Sequence, residues 1–462
     1  MGSIEGLSKQ LSDQANDCSY VYGTRFATRA LPSHQLPDGG MPKEVAYQMI
    51  KDDLALDGQP ILNLASFVTT YMEDEALKLL AESSNKNIID HEEYPKSVEI
   101  EHRCLNILAD LFHSPVSNGN PTAFGTSTIG SSEAIMLAML AMKKRWQINR
   151  QAQGKDASKP NIIMSSGVQV CWEKAAKYFD ISEKLVPCTE TRYVIDPVQA
   201  VDLVDENTIG ICAILGTTYT GQYEDVQAIS ELLLEKGLDT PIHVDAASGG
   251  FVAPFVNPDL VWDFKLPNVV SINVSGHKYG LVYPGIGWAL WRSSEYLPED
   301  LVFNIDYLGA EQLNFTMNFS KPASHIIAQY YQLIRLGRSG YTSIMRNLTK
   351  TADYLTSQLQ ELGFILMSEG NGKGLPVVAF RLSPSQNEMG MMRAVVRTDF
   401  SMGRCVSLVR DVQDALGDLA GMEIRNIQRY QALVQSYVSI SKKKWTSSRI
   451  LSQEMGKEIE GI

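Results

Sequence analysis

Apolar positions along the chain fall into two alternating periods. Short β-branched or aliphatic runs at 162–165, 209–216, 241–245 and 269–274 predict buried strands. Between them, apolar residues recur at helical spacing over 171–179 and 226–236. Strand and helix in turn predict an α/β domain, a mostly parallel sheet covered on both faces. Upstream, Pro42 opens a helix to Leu56 carrying Val45, Met49 and Leu54, and a second covers 73–82. Ile100, Cys104, Ile107, Leu108 and Leu111 mark a long helix from Pro95 to Phe112, and another runs from Glu133 to Arg150. Downstream, a helix over 325–336 leads to apolar runs at 377–382 and 392–396, strands of a second, smaller domain. The expected division is an N-terminal arm and helix (1–60), a large domain (61–337), a small C-terminal α/β domain (338–420) and a polar tail (421–462).

A chain of 462 residues can bury a large core and is long for one domain. Its net charge of −12 argues against a nucleic-acid surface. The six cysteines (Cys18, Cys104, Cys171, Cys188, Cys212, Cys405) show no metal-ligand spacing and read as reduced thiols of a cytoplasmic protein. No apolar run spans a bilayer, and no secretory signal is expected near Met1. Met1-Gly2 lacks the hydroxyl at position 6 that myristoylation wants.

The candidate chemistry sits where strands end. The run 269–274 opens into Ser275-Gly276-His277-Lys278, which places a lysine at the strand's end. Burying an ammonium is costly, and one use of that cost is an amine that condenses with a carbonyl cofactor. Read locally, the same stretch is also a surface loop with a solvated lysine. Upstream, the run 241–245 ends in Asp245, followed by Ala-Ala-Ser-Gly-Gly, small residues that leave room for a flat ring. A lone aspartate there is otherwise a helix cap. Lysine and carboxylate together are what pyridoxal 5′-phosphate requires, one for its aldehyde and one for its ring nitrogen. Gly130-Ser131-Ser132-Glu133 opens a helix with hydroxyls and exposed N–H groups, which serves equally as a cap and as a phosphate cradle.

The phrases HVDAASGGF (243–251), SGHKYG (275–280) with PGIGW (284–288), LGTTYTGQY (215–223), GSSEA (130–134), NLASFVTT (63–70) and DHEEYP (90–95) occur in family order. They span roughly 22–341. With them the chain resembles the glutamate decarboxylases, a branch of the pyridoxal-phosphate-dependent group II amino-acid decarboxylases. The resemblance implies the transferase-like fold of aspartate aminotransferase (fold type I), with a mostly parallel large-domain sheet. It implies Lys278 as the cofactor lysine and Asp245 as the partner of the ring nitrogen, with Lys278 or His277 protonating Cα. Ser131, Ser132, Ser275 and His277 would hold the phosphate, Gln169 would lie on the ring and Thr218 near its phenolic oxygen. Ser66, Phe67, Asn87 and Asp90 would surround the distal carboxylate of L-glutamate, and Arg393 would hold the α-carboxylate through a bidentate fork. Ser320 would reach the phosphate of a partner subunit, so a homodimer or a higher homo-oligomer is implied.

Gln169 and Ser320 read equally as ordinary polar residues, and 63–70 as a strand leading into a capped turn. The chain departs from the family between 377–382 and 392–396. Only 383–391 lies there, where glutamate decarboxylases carry several tens more residues, including a helix and a strand. Either a compact loop substitutes, or Arg393 is out of place. A decarboxylase of another amino acid and a catalytically impaired homologue therefore stay open. In the tail, Lys442-Lys443-Lys444-Trp445 suits calmodulin, as the tails of plant relatives do; a solvated helix or disordered tail is the alternative.

Overall fold

The computed structural model describes residues 31–115, 124–305, 312–382 and 390–421. By internal contacts the chain divides into residues 1–63 and 64–462. In the first unit, α1 (Lys43–Leu54) follows Pro42 as expected, and none of its residues is buried. Residues 31–41 form no helix.

The second unit is built on seven strands: β1 (Phe124–Thr128), β2 (Asn161–Ser165), β3 (Ser182–Val186), β4 (Thr208–Ile214), β5 (Ile242–Asp245), β6 (Val269–Val274) and β7 (Gly287–Trp291). They lie in the order β1-β7-β6-β5-β4-β2-β3. Pairings from β3 across to β6 are parallel, and β7 is antiparallel to both neighbours. Every residue of β4 and β6 is buried, as a sheet covered on both faces demands.

The helices of this unit are α2 (Asp74–Glu82), α3 (Pro95–Leu111), α4 (Ser131–Ala152), α5 (Val170–Tyr178), α6 (Pro197–Asp202), α7 (Val226–Glu235), α8 (Ala253–Val256), α9 (Ser324–Glu361) and α10 (Met402–Gly421). The period-two alternation of the strands divides the core between the two faces. Ile163, Ile211, Val244 and Ile272 join Leu108 of α3, Leu233 of α7 and Met345 of α9. Ile162, Met164, Cys212 and Ile214 face the other way, onto Met139 of α4 and Trp172 of α5. His243 and Asp245 on β5, and Ser271 and Asn273 on β6, share this second face by the same alternation.

Among the described residues two antiparallel sheets are added: a ribbon of β8 (Phe303–Ile305) and β9 (Gln312–Asn314), and β10 (Ile365–Leu366), β11 (Val377–Arg381) and β12 (Met392–Val395) in that order. The predicted helix at 325–336 is the first part of α9, which is interrupted at Gly337, where φ is 57°. The strand expected within 63–70 is absent; those residues form a loop after a short 3-10 turn. The 421–462 tail beyond Gly421, with the basic stretch read as a calmodulin site, lies outside the described residues.

Candidate active site

β2, β4, β5 and β6 end along one edge of the sheet, where ligands of such folds gather. A cavity of about 670 Å3 opens there, and ten of the sequence-derived residues line it: Ser66, Phe67, Ser131, Ser132, Gln169, Thr218, Asp245, Ser275, His277 and Lys278. The turn after β6 is tight because Gly276 has no Cβ; one there would strike Gln329 and Ile286.

The Lys278 side chain lies over the Phe67 ring, 5.5 Å from its centroid, and donates to Ser248 Oγ at 3.2 Å. Burial pulls its pKa below the ordinary lysine value, against the opposing pull of Asp245. A buried amine held down in this way is a better nucleophile. Asp245 is 5% exposed, and its carboxylate meets donors from three directions. Trp172 Nε1 donates to Oδ2 at 2.9 Å, while Asn273 Nδ2 and the Ala247 N–H donate to Oδ1 at 3.0 and 3.1 Å.

His277 donates from Nδ1 to the Ile286 carbonyl at 2.8 Å, which leaves Nε2 without a proton in the neutral ring. Burial, reinforced by Lys278, pushes its pKa down to about 4. Ser131, the first residue of α4, sets its hydroxyl against that of Ser275. No side chain caps α4. Two converging hydroxyls beside an uncapped helix N-terminus form an anion cradle. Gln169 caps α5 through the Cys171 N–H at 2.6 Å and also lines the cavity.

After the short link from β11, Arg393 lies on β12. Their antiparallel pairing sets Ala379 opposite Arg393. The guanidinium does not itself line the cavity but touches three residues that do, donating to the carbonyls of Thr218 and Ala65 and lying 4.9 Å from the centroid of the Phe67 ring. Its Nε is buried with no partner among the described residues.

Asn87, Asp90 and Ser320 do not line this chain's cavity, so the expectation that Asn87 and Asp90 surround a ligand there is not met within one chain. Instead Asn87 Nδ2 donates to Ser320 Oγ at 3.3 Å, and Asn87 Oδ1 accepts from the Lys321 N–H. The next turn of chain ties Asp90 to Asn87.

Sequence reasoning missed several supports. Lys321 is 8% exposed and donates to Ser127 Oγ at 3.0 Å and to the Ser127 carbonyl at 2.7 Å. Buried Glu101 and Glu133 offset its charge. Glu133 accepts N–H groups from Ile129, Met317 and Asn318, which joins the serine turn to the segment before Ser320. Arg397 holds the Ser66 carbonyl at 2.6 Å.

The donor set fits pyridoxal 5′-phosphate: an anion cradle, a buried amine, and a carboxylate whose oxygens meet only donors, all on one cavity of ligand size. Among the described residues no cluster suits a metal ion, and no helix is long and apolar enough to cross a membrane.

Comparison with known proteins gives the same picture. The family described as "Pyridoxal-dependent decarboxylase conserved domain" matches residues 37–383. The chain is similar to a glutamate decarboxylase of Petunia hybrida, 49% identical over 451 residues, covering 91% of this chain and 90% of the relative. It is also similar to glutamate decarboxylase beta of Listeria innocua, 48% identical over 373 residues, 79% of this chain and 80% of the relative. The solved structure of a Lactobacillus brevis glutamate decarboxylase superposes with a TM-score of 0.82 at 41% identity, covering 87% of this chain and 98% of that one.

Proposed function

The chain belongs to the pyridoxal-dependent decarboxylases, and from that premise we propose that it converts L-glutamate to 4-aminobutyrate and CO2. The observation that carries the reading is Lys278 and Asp245 at neighbouring strand ends of one cavity, with Arg393 bound to the carbonyls of two of its lining residues, Thr218 and Ala65. The cofactor is pyridoxal 5′-phosphate, which when bound supplies an aldehyde for the amino group and a ring that takes up the electron pair left as CO2 departs.

The chain's own residues do the rest. Ser131, Ser132 and Ser275 would hold the phosphate, beside a His277 ring whose one proton serves the Ile286 carbonyl; Gln169 and Thr218 would line the ring's pocket. Asp245 would hold the proton on the ring nitrogen. Arg393 turns a charged fork toward the substrate's α-carboxylate, and Ser66 and Phe67 receive the distal one. Fixing both ends of glutamate would set the torsion about Cα on which decarboxylation depends. The proton returned to Cα comes from Lys278. His277 is the weaker choice, because its one proton already serves the Ile286 carbonyl.

Asn87, Asp90 and Ser320 fall outside the chain's own cavity, which supports a homo-oligomer in which they face a second copy's site. The described cysteines are all free thiols, which supports a reducing, cytoplasmic setting. The shortened lobe leaves a catalytically impaired homologue open, and Arg393 bound to the cavity residues Thr218 and Ala65 favours the active enzyme. Purified protein supplied with pyridoxal phosphate is expected to release labelled CO2 from glutamate. Release from an aromatic amino acid instead, or from neither across pH, overturns the proposal.

A further inference from the structure

Asp245 is the end of a buried polar chain that the proposed reaction does not use. β5 and β6 run parallel in a register that sets His243 beside Ser271 and Asp245 beside Asn273. All four side chains are at most 5% exposed. His243 Nδ1 lies 2.7 Å from Ser271 Oγ, and Nε2 lies 2.7 Å from Asn273 Oδ1. Asn273 Nδ2 in turn donates to Asp245 Oδ1 at 3.0 Å.

Elementary donor counting fixes the direction of every proton in this chain. A carboxylate can only accept, so the Asn273 amide must turn its NH2 to Asp245 and its oxygen away. That oxygen can only accept, so His243 carries its proton on Nε2. The bare Nδ1 then accepts the Ser271 hydroxyl. Burial keeps the His243 ring neutral by pulling its pKa below the usual value, although Asn273 and Asp245 pull the other way. Trp172, which supplies another donor to Asp245, lies 5.4 Å from the His243 ring and closes the chain off on the helix side.

We propose that His243 and Asn273 are positioning residues for the cofactor's ring nitrogen. They act through Asp245 by a one-way hydrogen-bond chain that begins at Ser271. The chain fixes which carboxylate lone pairs are engaged inside the protein and leaves the remainder aimed at the nitrogen. Hydrogen bonds in series polarise one another, so the effect reaches Asp245 from two residues away. This rests on the pyridoxal phosphate reading of the site.

The test titrates the full chain, freed of cofactor, with pyridoxal phosphate and with the analogue carrying CH in place of the ring nitrogen; quenching of tryptophan fluorescence reports binding. Asn273→Leu removes one hydrogen bond to a charged group and is expected to weaken pyridoxal phosphate binding about tenfold, while the analogue loses less than about twofold. His243→Phe produces the same selectivity at about threefold, and His243→Gln, whose amide can still donate to Asn273, restores binding to within about twofold. If Asn273→Leu does not fold, the pair of His243 variants decides the matter. Equal losses for cofactor and analogue would mark a packing defect and overturn the proposal, as would unchanged cofactor affinity. Labelling of Lys278 by borohydride in the presence of cofactor separates this failure from failure of the site reading itself.

Discussion

Replacing Arg393 tests the part of the site that the sequence left most in doubt. Two of its N–H groups are spent on the Thr218 and Ala65 carbonyls, which brace the guanidinium against two residues that line the cavity. The one remaining N–H on each Nη is left for a substrate carboxylate. Two charge-assisted hydrogen bonds contribute about 3 kcal/mol, or about 2 kcal/mol after allowance for the half-exposed side chain. Arg393→Ala should therefore lower kcat/KM for glutamate about 30-fold, mostly through KM. Arg393→Lys keeps the charge without the fork and should lose about tenfold. The assay is the initial rate of CO2 release against glutamate concentration, with cofactor affinity measured alongside. Arg393 touches none of the phosphate-cradle residues and meets Thr218 only at its backbone carbonyl, so cofactor affinity should hold. A KM unchanged within about twofold, with the loss appearing in cofactor binding or melting temperature, would make Arg393 only a clamp between two loops.

Lys321→Met should destabilise the protein by about 3 kcal/mol in urea unfolding, because Glu101 and Glu133 stay buried without their cation; a change under about 1 kcal/mol contradicts this. His277, with a folded pKa of about 4 against the ordinary 6.5, binds its proton more readily when unfolded. Its contribution to stability is constant above about pH 6.5 and falls as pH drops toward about 4, by roughly 3 kcal/mol in all. The stability difference between the native chain and His277→Asn, each freed of cofactor, should change across that window, and a difference flat in pH refutes the assignment.

The sheet's centre was legible because parallel strands buried on both faces read as continuous apolar runs. β6 was expected at 269–274 and lies at Val269–Val274. Edge elements were not legible. β3 has the sequence Ser-Glu-Lys-Leu-Val and exposes most of it, so its pattern carries no apolar signal. β1, Phe-Gly-Thr-Ser-Thr, was obscured by the glycine and hydroxyls that lead into the serine turn.

Lys278 and Asp245 could be found because each follows a strand, and strand ends are where such a sheet presents chemistry. Trp172 could not, since a tryptophan at helical spacing reads as core, and its ring is indeed fully buried while its N–H serves Asp245. The chain of polar groups behind Asp245 was present as His243-x-Asp245 and Ser271-x-Asn273, but its meaning needed the register between two strands. Asn87 and Asp90 show the opposite limit. Asp90 opens the phrase DHEEYP and Asn87 stands three residues before it, yet a single chain does not bring them to its own cavity.

The central claim is that one amine, on Lys278, takes the aldehyde of the cofactor. Protein incubated with pyridoxal phosphate, reduced with borohydride and mapped by peptide mass should carry the cofactor on Lys278, and Lys278→Ala should carry none. Label on a different lysine, or on no lysine, would contradict the account.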